Sequence, residues 1–156
     1  MINVVFVCLG NICRSPMAEA VMRHKVMEKG LGEHIRIDSA GTGNWHVGKP
    51  PHEGTRKLLD GYQISYANMT ARQFVSADFT EFDYIICMDN SNAENVRSLP
   101  GGEEAEIIKF MDLLPHEKLR EVPDPYYTGN FEEVYELVNA GCDVLLNRIE
   151  EEHPLT

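Results

Sequence analysis

The chain predicts an α/β fold, a three-layer sandwich in which a parallel sheet is covered by helices on both faces, with an anion-binding loop directly after the first strand. Three observations carry this. Residues 2–7 are dense in β-branched and aromatic side chains with no polar alternation, the signature of a strand buried on both faces. Further short apolar runs alternate along the chain with segments of helical period. The first run ends in Cys8-Leu9-Gly10-Asn11-Ile12-Cys13-Arg14-Ser15-Pro16, a short loop leading straight into a helix.

The elements follow in order. A helix is expected over 15–29, with Ser15 as its cap and Pro16 at its first position. Ala18, Val21, Met22 and Val26 recur at helical spacing, and Gly30 and Gly32 end the segment. Residues 35–40 read as a second strand, and 41–51, rich in Gly and Pro, as a loop. A short helix is expected over 52–59, then irregular backbone with at most a turn of helix over 62–82. Residues 84–88 form a third buried strand. Ser91 and Glu94 fit a capping box, which predicts a helix over 92–99. Residues 107–110 supply a fourth strand and 112–130 are mostly loop. The last helix is the clearest: Phe131, Val134, Tyr135, Val138, Cys142, Leu145, Leu146 and Ile149 step by three and four to about residue 151.

Composition bounds the function. A chain of 156 residues suggests one domain with one core. No apolar stretch approaches the ~20 residues of a membrane span. No basic segment precedes a long apolar one, so no secretory signal is expected, and with a strand expected from residue 2 no longer targeting extension is expected within this sequence. Four scattered cysteines do not make a disulfide scaffold and favour a reducing, cytoplasmic setting. The net charge is −11, and it is uneven. Residues 1–78 hold nine basic and seven acidic side chains, and residues 79–156 hold five and eighteen. With no basic cluster there is no nucleic-acid footprint. Nothing in the sequence demands more than a monomer.

The loop after the first strand carries the chemistry. Cys8 stands at the carboxyl end of a buried strand, where ligands of such sheets bind. Gly10 and Asn11 tolerate left-handed backbone, and a helix begins at once beyond Arg14. Backbone N–H groups and the helix dipole would therefore surround the thiol, and a thiol so placed ionises readily. Ser15 can donate to it, and Arg14 can hold two oxygens of a tetrahedral oxyanion at once. The plain alternative is a buried strand-end cysteine beside a surface arginine. The Gly-Lys-Ser/Thr ending of a nucleotide-binding P-loop is missing, and no Cys or His pair completes a zinc site. A thiolate that attacks phosphorus needs an acid for the leaving oxygen. Asp124, between Pro123 and Pro125 and followed by Tyr126 and Tyr127, is the candidate. Asp-Pro is also a common turn initiator.

Together these stretches resemble the low-molecular-weight protein tyrosine phosphatase family. Cys8 to Pro16 matches its signature at every position, and Asp124-Pro125-Tyr126-Tyr127 matches its second motif. Ser39-Ala40-Gly41-Thr42 and Cys87-Met88-Asp89 followed by Ser91-Asn92 match as well. The resemblance covers essentially the whole chain. It implies a four-stranded parallel sheet in flavodoxin-like order and a reaction that needs no metal and no cofactor.

The resemblance also implies the roles. Cys8 is the nucleophile and forms a phosphocysteine. Residues Leu9, Gly10, Asn11, Ile12, Cys13, Arg14 and Ser15 form the phosphate-binding loop, in which Arg14 clamps the phosphoryl oxygens. Asp124 is general acid, then general base. Asn11, Ser15 and Ser39 support the loop, and Leu9, Ile12, Trp45, Tyr126 and Tyr127 line the substrate entrance. Cys13 matches a cysteine that pairs reversibly with Cys8 under peroxide, which suits a readily oxidised thiolate beside a second thiol. Cys87 and Cys142 read as core residues. One departure is Met69, which stands where some relatives place a supporting histidine ahead of Ala71-Arg72-Gln73.

The implied substrates are phosphotyrosyl proteins and small aryl phosphates. Rival readings are narrower. Arsenate reduction on this fold needs relay cysteines, and Cys87 has no partner a few residues away. Phosphoarginine hydrolysis goes with Thr where this chain has Ile12. A non-catalytic phosphotyrosine-binding module would lack the nucleophile or the acid.

Overall fold

The computed structural model describes residues 1–154. Four parallel strands form one sheet in the order β2-β1-β3-β4. They are β1 (Ile2–Cys8), β2 (Ile35–Gly41), β3 (Tyr84–Cys87) and β4 (Ile107–Lys109). This is the predicted α/β sheet. β1 lies at its centre, with Phe6 opposite Ser39 on one side and Ile86 on the other. Its side chains alternate between two cores. Val4, Phe6 and Cys8 face a large cluster built with α1 (Arg14–Glu28) and α6 (Phe131–Glu152). Val5 and Val7 face a smaller one with Phe74, Phe82, Ala93 and Val96. Burial on both faces is why β1 shows no polar alternation.

The remaining helices are α2 (Glu53–Gly61), α3 (Asp78–Glu81), α4 (Asn90–Arg97) and α5 (Pro125–Thr128). A 3-10 turn, Phe110–Leu113, follows β4. Gly141 lets α6 approach that turn, because a Cβ there would lie 2.3 Å from the Phe110 ring. Among the described residues no helix is long and apolar enough to cross a membrane.

Two predicted caps are corrected. α1 begins at Arg14 with Cys13 at the cap position and no side-chain cap. Ser15 lies inside the helix because its hydroxyl is engaged by Asn11 and Cys8. α4 is capped by Asp89, not Ser91. Asp89 leaves β3 in extended backbone, and its carboxylate accepts from Asn92 N at 2.8 Å. α1 does stop where expected, with Gly30 in the left-handed conformation at φ 70°.

Candidate active site

β1 delivers Cys8 to the carboxyl edge of the sheet, and the chain then curls through residues 9–13 into α1. Neighbouring segments hold the carbonyls of this loop. Cys8 O and Leu9 O accept from Thr42 N and Gly43 N, both at 2.9 Å. Ile12 O accepts from His52 N at 2.7 Å, and Cys13 O from Thr55 Oγ1 at 3.2 Å. Gly41 permits this close approach, since a Cβ there would meet Leu9 O at 2.9 Å. With these carbonyls drawn outward, the N–H groups are left to the inside of the curl. The first N–H groups of α1 have no intrahelical partner, and no side chain caps them.

The thiol sits within this curl. Cys8 Sγ receives Asn11 N–H at 3.3 Å and lies 2.9 Å from Ser15 Oγ. Asn11 adopts the left-handed conformation at φ 56°. Its side chain offsets the local cost by bridging Ser15 Oγ at 2.8 Å and Ser39 Oγ at 2.9 Å, while its Oδ1 accepts from Arg72 N at 3.0 Å. The three residues predicted to support the loop are thus joined in one network. Met69 is buried in the main core and adds no donor to it. Ser39 instead donates to Glu19 Oε1 at 2.6 Å.

Arg14 is almost wholly buried, 2% exposed. Its Nη1 donates to Asp89 Oδ2 at 2.8 Å and to Val122 O at 3.0 Å, and its Nη2 reaches Asp124 Oδ2 at 3.5 Å. Burial works against its charge, but the Cys8 sulfur, Asp89 and Asp124 outweigh that and hold its pKa above the usual value. With Nη1 saturated, Nε and Nη2 retain donors for an incoming oxyanion. Asp124 caps α5 by accepting from Tyr126 N at 3.1 Å, so the carboxyl is fixed by the helix that presents the two tyrosines.

A cleft of about 240 Å³ opens over the loop. Cys8, Leu9, Gly10, Ile12, Cys13, Arg14, Trp45, Asp124, Tyr126 and Tyr127 line it, so every residue predicted for the entrance lies on its wall. Trp45, Tyr126 and Tyr127 are exposed at the rim, and Ile12 also packs inward against Ala71 and Phe131. Cys13 is buried, and burial together with the charges of Cys8 and Asp124 pushes its thiol up to about 12. Cys87 and Cys142 lie in the two cores as expected. Among the described residues no three His, Cys, Asp or Glu side chains gather around a potential metal position.

Sequence reasoning assigned no role to four residues that shape this region. Asp89 holds Arg14; the matched Cys87-Met88-Asp89 stretch was its only signal. His46 lines the cleft within a segment read merely as loop. His52 caps α2 through Nδ1, holds Ile12 O, and stacks on Phe131 with ring centroids 5.4 Å apart. Glu19 is a buried acid on a helix face, and its spacing from Ser15 by one turn was its only trace.

A family model described as low molecular weight phosphotyrosine protein phosphatase matches residues 3–155. The low molecular weight protein-tyrosine-phosphatase YfkJ of Bacillus subtilis is 52% identical over 99% of this chain and 100% of its own. Its crystal structure superposes with a TM-score of 0.95 over 98% of this chain and 97% of that one, at 51% identity. The low molecular weight protein-tyrosine-phosphatase PtpA of Staphylococcus epidermidis is 48% identical over 96% of this chain and 94% of its own. The crystal structure of a Drosophila arginine phosphatase, 32% identical, superposes with a TM-score of 0.85 over 96% of this chain and 98% of that one. A matching sheet order, a loop of the same signature and family-wide coverage agree: the chain belongs to the low molecular weight phosphotyrosine protein phosphatase family.

Proposed function

We propose that this chain hydrolyses phosphotyrosine and other aryl phosphates through a phosphocysteine intermediate on Cys8. The observation that carries the reading is one constellation. A buried thiol lies inside a curl of backbone N–H groups, Arg14 stands beside it, and Asp124 faces Arg14 at 3.5 Å across the cleft. The Cys8 thiolate attacks phosphorus, so an S–P bond forms as the P–O ester bond breaks. Asp124 gives its proton to the departing phenolic oxygen. Asp124 then takes a proton from water, whose oxygen attacks phosphorus. The S–P bond breaks, and inorganic phosphate leaves with the thiolate restored. Arg14 and the loop N–H groups hold the equatorial oxygens in both steps.

Leu9, Ile12, Trp45, Tyr126 and Tyr127 give the cleft walls that fit a flat ring. The reading extends to residues 1–156 as a single metal-independent domain, monomeric and cytoplasmic, acting on phosphotyrosyl proteins or small aryl phosphates. Its test is turnover of p-nitrophenyl phosphate in the presence of EDTA. The wild type should turn over and Cys8→Ser should not. No turnover by the wild type, or equal rates in both, overturns the reading.

A further inference from the structure

A chain of four hydrogen bonds links the Cys8 sulfur to a carboxylate that takes no part in the chemistry. It runs from Cys8 Sγ to Ser15 Oγ (2.9 Å), to Asn11 Nδ2 (2.8 Å), to Ser39 Oγ (2.9 Å) and to Glu19 Oε1 (2.6 Å). Neighbours settle the direction of each link. Arg72 N–H occupies Asn11 Oδ1, so the Asn11 amide gives one proton to each serine. Ser39, having accepted, sends its own proton to Glu19. Ser15, having accepted, can send its proton to the sulfur at 2.9 Å, the nearer of its two acceptors, since Ala40 O lies at 3.5 Å.

Glu19 is 3% exposed and stands one helical turn beyond Ser15. Its second oxygen is held by Arg23, a further turn along α1 and half-exposed. Asp38 on β2 and Arg72, itself paired with Asp38 and Asp78, are the other charges near it. Burial pushes the Glu19 carboxyl up to about 7; Ser39 and Arg23 oppose the rise, and Asp38 adds to it.

We propose that Glu19 is a positioning residue for the nucleophile: acting through Ser39, its carboxylate pins the Asn11 side chain and hence the hydroxyl that Ser15 presents to the Cys8 sulfur, and this support weakens when Glu19 takes up a proton. The inference rests on the reading of Cys8 as nucleophile. A hydroxyl bound to a carboxylate is held about twice as firmly as one bound to a neutral acid. Loss of that difference is expected to loosen Asn11, whose left-handed backbone depends on its side-chain bonds.

The test is the pH dependence of kcat and KM for p-nitrophenyl phosphate in the wild type, Glu19→Gln, Ser39→Ala and the double variant. The substrate's own titration is common to all and cancels in ratios. The wild-type to Glu19→Gln ratio of kcat should rise from near unity at about pH 5.5 to roughly five-fold at about pH 8.5, with KM unchanged. Ser39→Ala should show the same step against wild type, and the double variant should be no slower than Ser39→Ala alone. A ratio independent of pH, an effect confined to KM, or two losses that multiply overturns the proposal. Should Glu19→Gln not fold, the Ser39→Ala ratio carries the same expectation, and its absence is equally decisive. Turnover that survives Cys8→Ser would instead remove the underlying reading.

Discussion

Asp89 holds two elements with one carboxylate: Oδ2 accepts from Arg14 Nη1 at 2.8 Å, and Oδ1 accepts from Asn92 N at 2.8 Å to cap α4. The guanidinium proposed to clamp phosphate is therefore oriented from the end of β3. Asp89→Asn keeps the shape but removes the nearer of the two carboxylates facing the buried cation, leaving Asp124 at 3.5 Å. A charge-assisted bond contributes about 1.5–3 kcal/mol, so kcat/KM should fall roughly 10- to 100-fold. Asp89→Ala should in addition lose about 1 kcal/mol of stability with the cap. Steady-state kinetics and urea unfolding of the two variants check this. Unaltered kinetics in Asp89→Asn would show that Arg14 needs no such partner.

Asp124 is fixed by α5 and faces the guanidinium across the cleft. Replacement by Ala should slow p-nitrophenyl phosphate hydrolysis by ~10²–10⁴ if it is the general acid. The loss should shrink for esters whose leaving oxygen needs no proton. A series of aryl phosphates with increasingly acidic phenols measures this, and parallel lines for wild type and variant would contradict the role.

Glu19 also bears on stability. Its folded-state pKa, about 7, lies above the ordinary value of 4.5, so the folded protein binds more protons between those two values. Its contribution to stability is fully present below about pH 4.5 and is lost as the pH rises through about 7. The span is of the order of 3 kcal/mol. Urea unfolding of wild type and Glu19→Gln should diverge in that direction, the variant gaining on the wild type as pH increases. Parallel stability curves would mean that Glu19 does not titrate there.

Cys8 and Cys13 are both free and buried, at either end of the same loop. If Cys13 traps oxidised Cys8 as a disulfide, peroxide should inactivate the wild type reversibly, and thiol should restore it. Cys13→Ser should recover far less, because its Cys8 proceeds to irreversible oxidation. Equal recovery of activity in both would exclude the pairing.

Much of this was legible in the chain because local pattern and tertiary structure agree. The apolar run Val4–Cys8 of β1 needs two buried faces, and the period of α6 leaves one helical reading. The loop residues are contiguous, so their order alone suggested the curl. What escaped depends on residues distant in sequence. Ser91 and Glu94 satisfied a local capping rule, but Asp89 won because the end of β3 places its carboxylate over the helix start. Ser15 looked like a cap until Asn11 and Cys8 claimed its hydroxyl. Glu19 looked like one polar residue on a helix; only the approach of β2, which brings Ser39 to it, shows that it faces inward. His46 lay in a stretch whose Gly and Pro content signals a loop without indicating what that loop touches, and His52 stood at the start of an expected helix whose pattern does not show that its backbone N–H reaches back to Ile12.

The covalent step on Cys8 is tested most directly by rapid quenching of the enzyme during turnover of an aryl phosphate, followed by mass analysis of its peptides. The account predicts one phosphoryl group on the peptide containing Cys8, attached through sulfur and absent from Cys8→Ser. Continued turnover with phosphate on another residue, or a Cys8→Ser enzyme that still releases phosphate, would contradict it.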